Sequence, residues 1–164
     1  MAWHKNSGFT IIELIITITI MAILTTLVVV SLRTSQDNAK AKERKDDVDA
    51  IARVLEKSYN NGSGTPTYPI NASLSGVMST AISASDIEPA SLRSPTDTSP
   101  ATAPLYSLTT TTIAAAPAVT EKYVYLPLTS ASTLTYCSTA PCAKFNLYYK
   151  DSSGNMVAKE SINR

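Results

Sequence analysis

Lys5-Asn6-Ser7-Gly8-Phe9-Thr10-Ile11-Ile12-Glu13-Leu14 is the stretch on which the reading of this chain turns. A polar leader ends at Gly8, and an almost purely apolar run begins at Phe9 and continues to Leu32. The run holds a single charge, Glu13. A carboxylate placed where lipid is expected costs free energy, and such residues mark function. From Phe9 to Leu32 the run is about 24 residues, roughly 36 Å as a helix, which is enough to cross a bilayer. It is too long for the core of a secretory signal, and no small-residue cleavage site follows it. Its Ile, Val and Thr favour strand in water. In lipid every backbone polar group must be satisfied internally, and that imposes helix.

The helix is expected to continue far beyond the apolar run, to about Tyr59, because no Pro precedes Pro66 and no Gly lies between Gly8 and Gly62. That is roughly 75 Å of helix. Its second half changes character. Residues 33–45 are polar nearly all round, and from there a helical stripe forms from Val48, Ile51, Leu55 and Tyr59, with Val54 beside it. Asp49 and Arg53 stand at a spacing that suits an i,i+4 pair on another face. Asn60-Asn61-Gly62 supplies the stop signal.

Residues 60–120 are rich in Ser, Thr, Ala and Pro. They read as a connecting loop with a short helix over residues 74–83, closed by Asp86-Ile87-Glu88-Pro89; residues 109–119 are low-complexity. Strand signals follow at residues 123–126, 134–137, 143–150 and 156–162, with Pro127 ending the first or placing it at an edge. In the third, Phe145, Leu147 and Tyr149 alternate with Lys144, Asn146, Tyr148 and Lys150, the pattern of a half-buried strand. The expected fold is α+β: a long N-terminal helix, membrane-spanning in one half and amphipathic in the other, packed on a C-terminal four-stranded antiparallel sheet over residues 121–164.

The order Gly8-Phe9-Thr10-x-x-Glu13-Leu14 closely resembles the processing site of type IV prepilins and the related pseudopilins. Asn61-Gly62 followed by Tyr68-Pro69 is similar to the exit from the pilin stem helix, and Leu92-Arg93-Ser94-Pro95-Thr96-Asp97 to the proline-aspartate loop before the sheet. The resemblance implies that residues 1–8 are a leader removed by a prepilin peptidase, which cuts between Gly8 and Phe9, and that the new N-terminal Phe9 is methylated. It implies a transmembrane and assembly half over residues 9–32 and an amphipathic half over residues 33–59. Cleavage turns the Phe9 nitrogen into an ammonium, and Glu13 is then the charge that pairs with it on a neighbouring subunit, relieving a desolvation penalty and setting axial register. The plain alternative is a carboxylate complementing the positive end of the helix dipole.

By the same resemblance the chain is a homo-oligomer in a helical filament, delivered by inner-membrane pilus assembly machinery. It is a single-pass cell membrane protein with a cytoplasmic N-terminus before assembly, and part of an extracellular pilus afterwards. Such a pilus serves adhesion, twitching motility or DNA uptake. The alternatives are a pseudopilin of a type II secretion or competence system, or a membrane-anchored binding domain. Many secretion pseudopilins carry an aspartate-x-tryptophan-glycine-like loop, and this chain has no Trp after Trp3, which favours the pilin. Taken alone, the positive-inside rule opposes the orientation, since Arg33, Lys40, Lys42, Arg44 and Lys45 crowd the far flank. The processing site overrules it.

Cys137 and Cys142 read as a disulfide clamping a hairpin loop, worth about 2 kcal/mol by chain entropy for so small a ring. Two buried thiols are the plain alternative. The spacing does not suit a redox pair, and zinc needs more ligands than are at hand. His4 and Trp3 both lie in the leader, so the mature chain has no imidazole for catalysis or metal binding, and neither an enzyme activity nor a cofactor is expected. The formal charge of +1 leaves no footprint for nucleic acid as a direct specific partner. The basic run Lys40 to Lys45 is offset by Asp37, Glu43, Asp46 and Asp47, and reads as a solvated stem or an inter-subunit charge register. Asn61 and Asn71 open glycosylation sequons. An Asp86–Glu88 site or an Asp97 site is a candidate for calcium.

Overall fold

Helix α1 occupies Ile11–Asn60, uninterrupted as the lack of internal Gly and Pro requires. The computed structural model describes residues 8–60, 65–97, 105–108, 122–129 and 135–162. The chain divides into two compact units, Met1–Asn38 and Ala39–Arg164. In the first, every described residue is exposed. The threonine hydroxyls of that stretch turn back on the helix: Thr17 donates to the Leu14 carbonyl at 2.8 Å, Thr19 to Ile15 at 2.6 Å, Thr25 to Met21 at 2.7 Å and Thr26 to Ala22 at 2.6 Å. Each of these four hydroxyls is thereby satisfied without water, as a lipid environment demands.

The second unit is built on the distal part of α1. Val48, Ile51 and Leu55 are at most 1% exposed, with Val54 also buried and Tyr59 half-buried beside them. The expected stripe is therefore the core face of the helix, each side chain contributing about 1.5–3 kcal/mol by burial. Helix α2 spans Asn71–Ser83, three residues longer at its start than the sequence suggests, and buries Leu74, Met78 and Ala81. It stops earlier than its acidic closing segment, in a Schellman turn. Ser85 takes a left-handed φ of 58°, its N–H reaching the Ile82 carbonyl at 3.0 Å, and the Asp86 N–H reaches Ala81 at 2.9 Å. A short 3-10 turn follows at Pro89–Leu92.

Among the described residues the sheet has four strands in the order β1 (Leu105–Ser107), β2 (Tyr123–Leu128), β3 (Lys144–Lys150) and β4 (Met156–Glu160). The helix-on-sheet α+β fold is as expected, but the membership of the sheet differs. Three strands, β2, β3 and β4, are antiparallel; β1, which carries no strand signal of its own, joins β2 in parallel. The stretch expected as a strand at residues 134–137 contributes only an isolated bridge between Tyr136 and Leu128, and Leu134 lies outside the described residues. Residues 137–142 are instead tied down by the disulfide and by two backbone bonds: Cys137 N–H to Pro127, and Tyr68 N–H to Cys142. Pro127 sits inside β2, opposite Phe145. β1 pairs with β2 only as far as Tyr125. Beyond it β2 meets residues 135–137 in an irregular pairing, in which Pro127 offers its carbonyl to the Cys137 N–H and has no donor of its own to satisfy.

The sheet is buried on both faces, not one. Tyr123, Tyr125, Phe145 and Leu147 join the core beneath α1, whereas Val124, Leu126, Leu128, Tyr148 and Leu108 form a second cluster. Asn146, expected on a solvent face, is 7% exposed and donates to the Tyr148 hydroxyl at 3.1 Å. Between β3 and β4, the Asp151 carboxylate accepts the N–H groups of Ser153 and Asn155, both at 2.8 Å. Gly154 closes the turn at φ 80°, a conformation that favours glycine.

Candidate assembly surface

The first turn of α1 is built by a reciprocal cap. Thr10 is the N-cap and Glu13 the third helical residue. The Glu13 N–H reaches the Thr10 hydroxyl oxygen at 3.3 Å, while Glu13 Oε2 accepts the Thr10 N–H at 3.0 Å and its hydroxyl at 2.8 Å. This is a capping box, and the Thr-x-x-Glu spacing that announces it is legible in the sequence. Both bonds fall on one carboxylate oxygen. Oε1 has no partner among the described residues, and an ionised carboxylate can accept on both oxygens.

Gly8 and Phe9 lead into this turn. Phe9 is 85% exposed. A Cβ added at Gly8 would meet no atom within 4 Å, and its φ is not in the left-handed region. Neither packing within the chain nor backbone strain accounts for glycine at that position. The apolar side chains that follow are exposed: Ile11 is 79% exposed and Leu27 65%. By length and composition α1 is apolar enough to cross a membrane, its most apolar 18-residue window having a mean hydropathy of 2.6.

Within the second unit, polar contacts fasten the stem and its exit segment to the sheet. The Tyr123 hydroxyl donates to the buried Asp47 carboxylate at 2.7 Å, and the Tyr125 hydroxyl to the Pro69 carbonyl at 2.7 Å. Burial, and for Tyr123 the adjacent Asp47 carboxylate, pushes both phenols above their ordinary range. Glu56 accepts the Tyr68 hydroxyl at 2.6 Å and the Ile162 N–H at 2.7 Å, joining the stem to its own exit segment and to the end of the sheet. In the sequence reading Asp47 counts only as an offset to the basic run and Glu56 is not singled out; acidic residues beside the core stripe are the signal that could have found both contacts.

Cys137 and Cys142 form the disulfide, both fully buried. The Cys142 N–H also reaches the Thr67 hydroxyl at 2.7 Å. The clamp therefore holds the segment leaving the stem as well as its own loop. Asp49 pairs with Lys159 at 2.9 Å and not with Arg53, because β4 brings an ammonium to the helix flank. Asp86 is engaged by Lys57 at 2.6 Å, away from any calcium role shared with Glu88. Among the described residues no three potential metal ligands gather. Asn71 spends its amide nitrogen on the Leu108 carbonyl and the Tyr136 hydroxyl, at 2.9 and 3.1 Å, which leaves its sequon without a free acceptor nitrogen. Asn61 lies outside the described residues.

Residues 3–29 match the prokaryotic N-terminal methylation motif. The type II secretion system core protein G of Pseudomonas aeruginosa is 39% identical over 56 residues, which are 34% of this chain and 39% of that protein. The match thus spans about two fifths of the relative's length. No solved structure matches the chain. The resemblance to the type IV pilin and pseudopilin family is borne out over the N-terminal segment.

Proposed function

We propose that this chain is the structural subunit of a helical filament of the type IV pilin and pseudopilin kind. In this reading it is cut after Gly8, methylated on Phe9 and polymerised through α1. The observation that carries it lies along α1: a 9–32 segment whose apolar side chains are exposed, beginning at a carboxylate with one oxygen unpartnered among the described residues. Lipid covers that surface before assembly, and neighbouring copies cover it afterwards. Cleavage supplies the missing charge, since the Phe9 peptide nitrogen becomes an ammonium, and N-methylation preserves its charge. Glu13 Oε1 of the next copy receives it, while Oε2 continues to cap its own helix. Burying the two charges together removes the cost of leaving each alone in an apolar bundle. The open surroundings of Gly8 support the peptidase reading, because a bare backbone lets a membrane peptidase approach the scissile bond.

Two destinations suit such a subunit. An extracellular pilus, serving adhesion, twitching motility or DNA uptake, is supported by the absence of Trp after Trp3. A secretion pseudopilus is supported by the likeness to type II secretion system core protein G. Deleting the gene in its native host separates them. Loss of surface fibres with protein export intact selects the pilus; loss of export with fibres on the wild-type surface never seen selects the pseudopilus. A deletion strain unchanged in both sinks the filament reading.

A further inference from the structure

The side of α1 turned away from the Val48–Leu55 stripe carries Lys42, Lys45, Asp46, Asp49 and Arg53. Lys42, Lys45, Asp46 and Arg53 are exposed and make no ion pair among the described residues. The Lys42–Asp46 and Lys45–Asp49 intervals run in the less favourable i,i+4 order, lysine before carboxylate, consistent with their remaining apart within one helix. We propose that this face is a charge register read by a second copy of the chain, parallel and offset by four residues. The proposal rests on the filament reading above and deepens it.

An offset of four residues, about 6 Å along the helix, sets Lys42 of one copy against Asp46 of the next, Lys45 against Asp49, and Asp49 against Arg53. All three meetings join opposite signs. Asp49 already holds Lys159, but a carboxylate accepts on both oxygens. The like-signed meeting on this side, Arg53 against Lys57, involves a lysine already neutralised by Asp86. With no offset, every charge faces itself. An offset of three sets Lys42 against Lys45 and Asp46 against Asp49, both repulsive. Of these three registers complementary charge favours the offset of four, the use to which interfacial charges are best suited. Four residues also separate Phe9 from Glu13 in the sequence.

The test exchanges the charges in separate chains. Lys42→Glu and Asp46→Lys, each expressed alone in the native host lacking the wild-type gene, should cut sheared fibre yield at least about fivefold, the factor that about 1 kcal/mol of like-charge contact imposes. Both proteins should still be processed at Phe9 and retained in the membrane. Co-expressing the two variants should restore fibres. Where the copies alternate, the carboxylate introduced at position 42 meets the ammonium introduced at position 46, and the next contact joins the native Lys42 and Asp46. Pairing within one helix cannot be restored in this way. Wild-type yield from either variant alone, or co-expression that rescues nothing, overturns the register while leaving the filament reading intact. Absence of fibres from the wild-type chain overturns the filament reading and the register with it.

Discussion

Two halves of one helix treat their apolar residues in opposite ways. From Phe9 to Leu32 the large side chains stand open, Val29 least so at 42% exposure, whereas Val48, Ile51 and Leu55 are closed to solvent by the same chain's sheet and second helix. Hydrophobicity alone would rank the first half as the better core. What separates them is arrangement: the first half is apolar all round and exposed, while the second confines its apolar residues to one stripe. A helix apolar on every side finds its partners outside the fold, and a striped helix finds them within it. The first half thus concerns assembly and the second concerns stability, and a substitution in one should leave the other's property untouched.

Glu13→Ala is the sharpest way to break that division. It should abolish fibres while the protein is still cut at Gly8 and its head domain melts at an unchanged temperature, measured by shear yield beside thermal unfolding. Leu55→Ala is the converse. Removing a fully buried side chain should cost the head about 3–4 kcal/mol, read as an earlier denaturant midpoint, with membrane insertion unaffected. Reducing the Cys137–Cys142 bond under denaturing conditions should cost about 2 kcal/mol, since the closed ring is short. The smallest effect is in pH. Tyr123 and Tyr125 are held neutral above the ordinary phenol range, so their contribution is complete below about pH 10, the unfolded value. It declines as pH rises above that toward the folded values. Tyr123→Phe should flatten the alkaline limb of the unfolding profile and lower stability at neutral pH by leaving the Asp47 carboxylate without its donor.

The helix is legible in the sequence almost to the residue, because the signals there are long and periodic: no breaker before Gly62, an apolar block, then a stripe. The N-terminal site is legible as a motif, and the capping box is present in the Thr10-Glu13 spacing. The sheet is less so. Residues 134–137 carry apolar and β-branched residues and read as a strand, but the tight disulfide and the Tyr68 segment claim the adjoining backbone, leaving a single bridge at Tyr136. β1 is only three residues long and borrows its conformation from β2. The alternation in β3 points to one buried face, yet on the other Tyr148 joins a buried cluster with Leu108, Val124 and Leu126, a long-range closure that local pattern does not record. Asp49 likewise finds Lys159 from β4 instead of its helical neighbour Arg53. In each case a partner distant in sequence outweighs the local pattern.

The central claim is that this chain is cut at Gly8–Phe9 and polymerised through the helix that follows. N-terminal sequencing of material sheared from cells expressing it, with electron microscopy of the same fraction, tests both parts at once. The account predicts fibres whose subunits begin at Phe9, with that residue methylated. Chains that keep Met1 and remain in the membrane as single copies would contradict it.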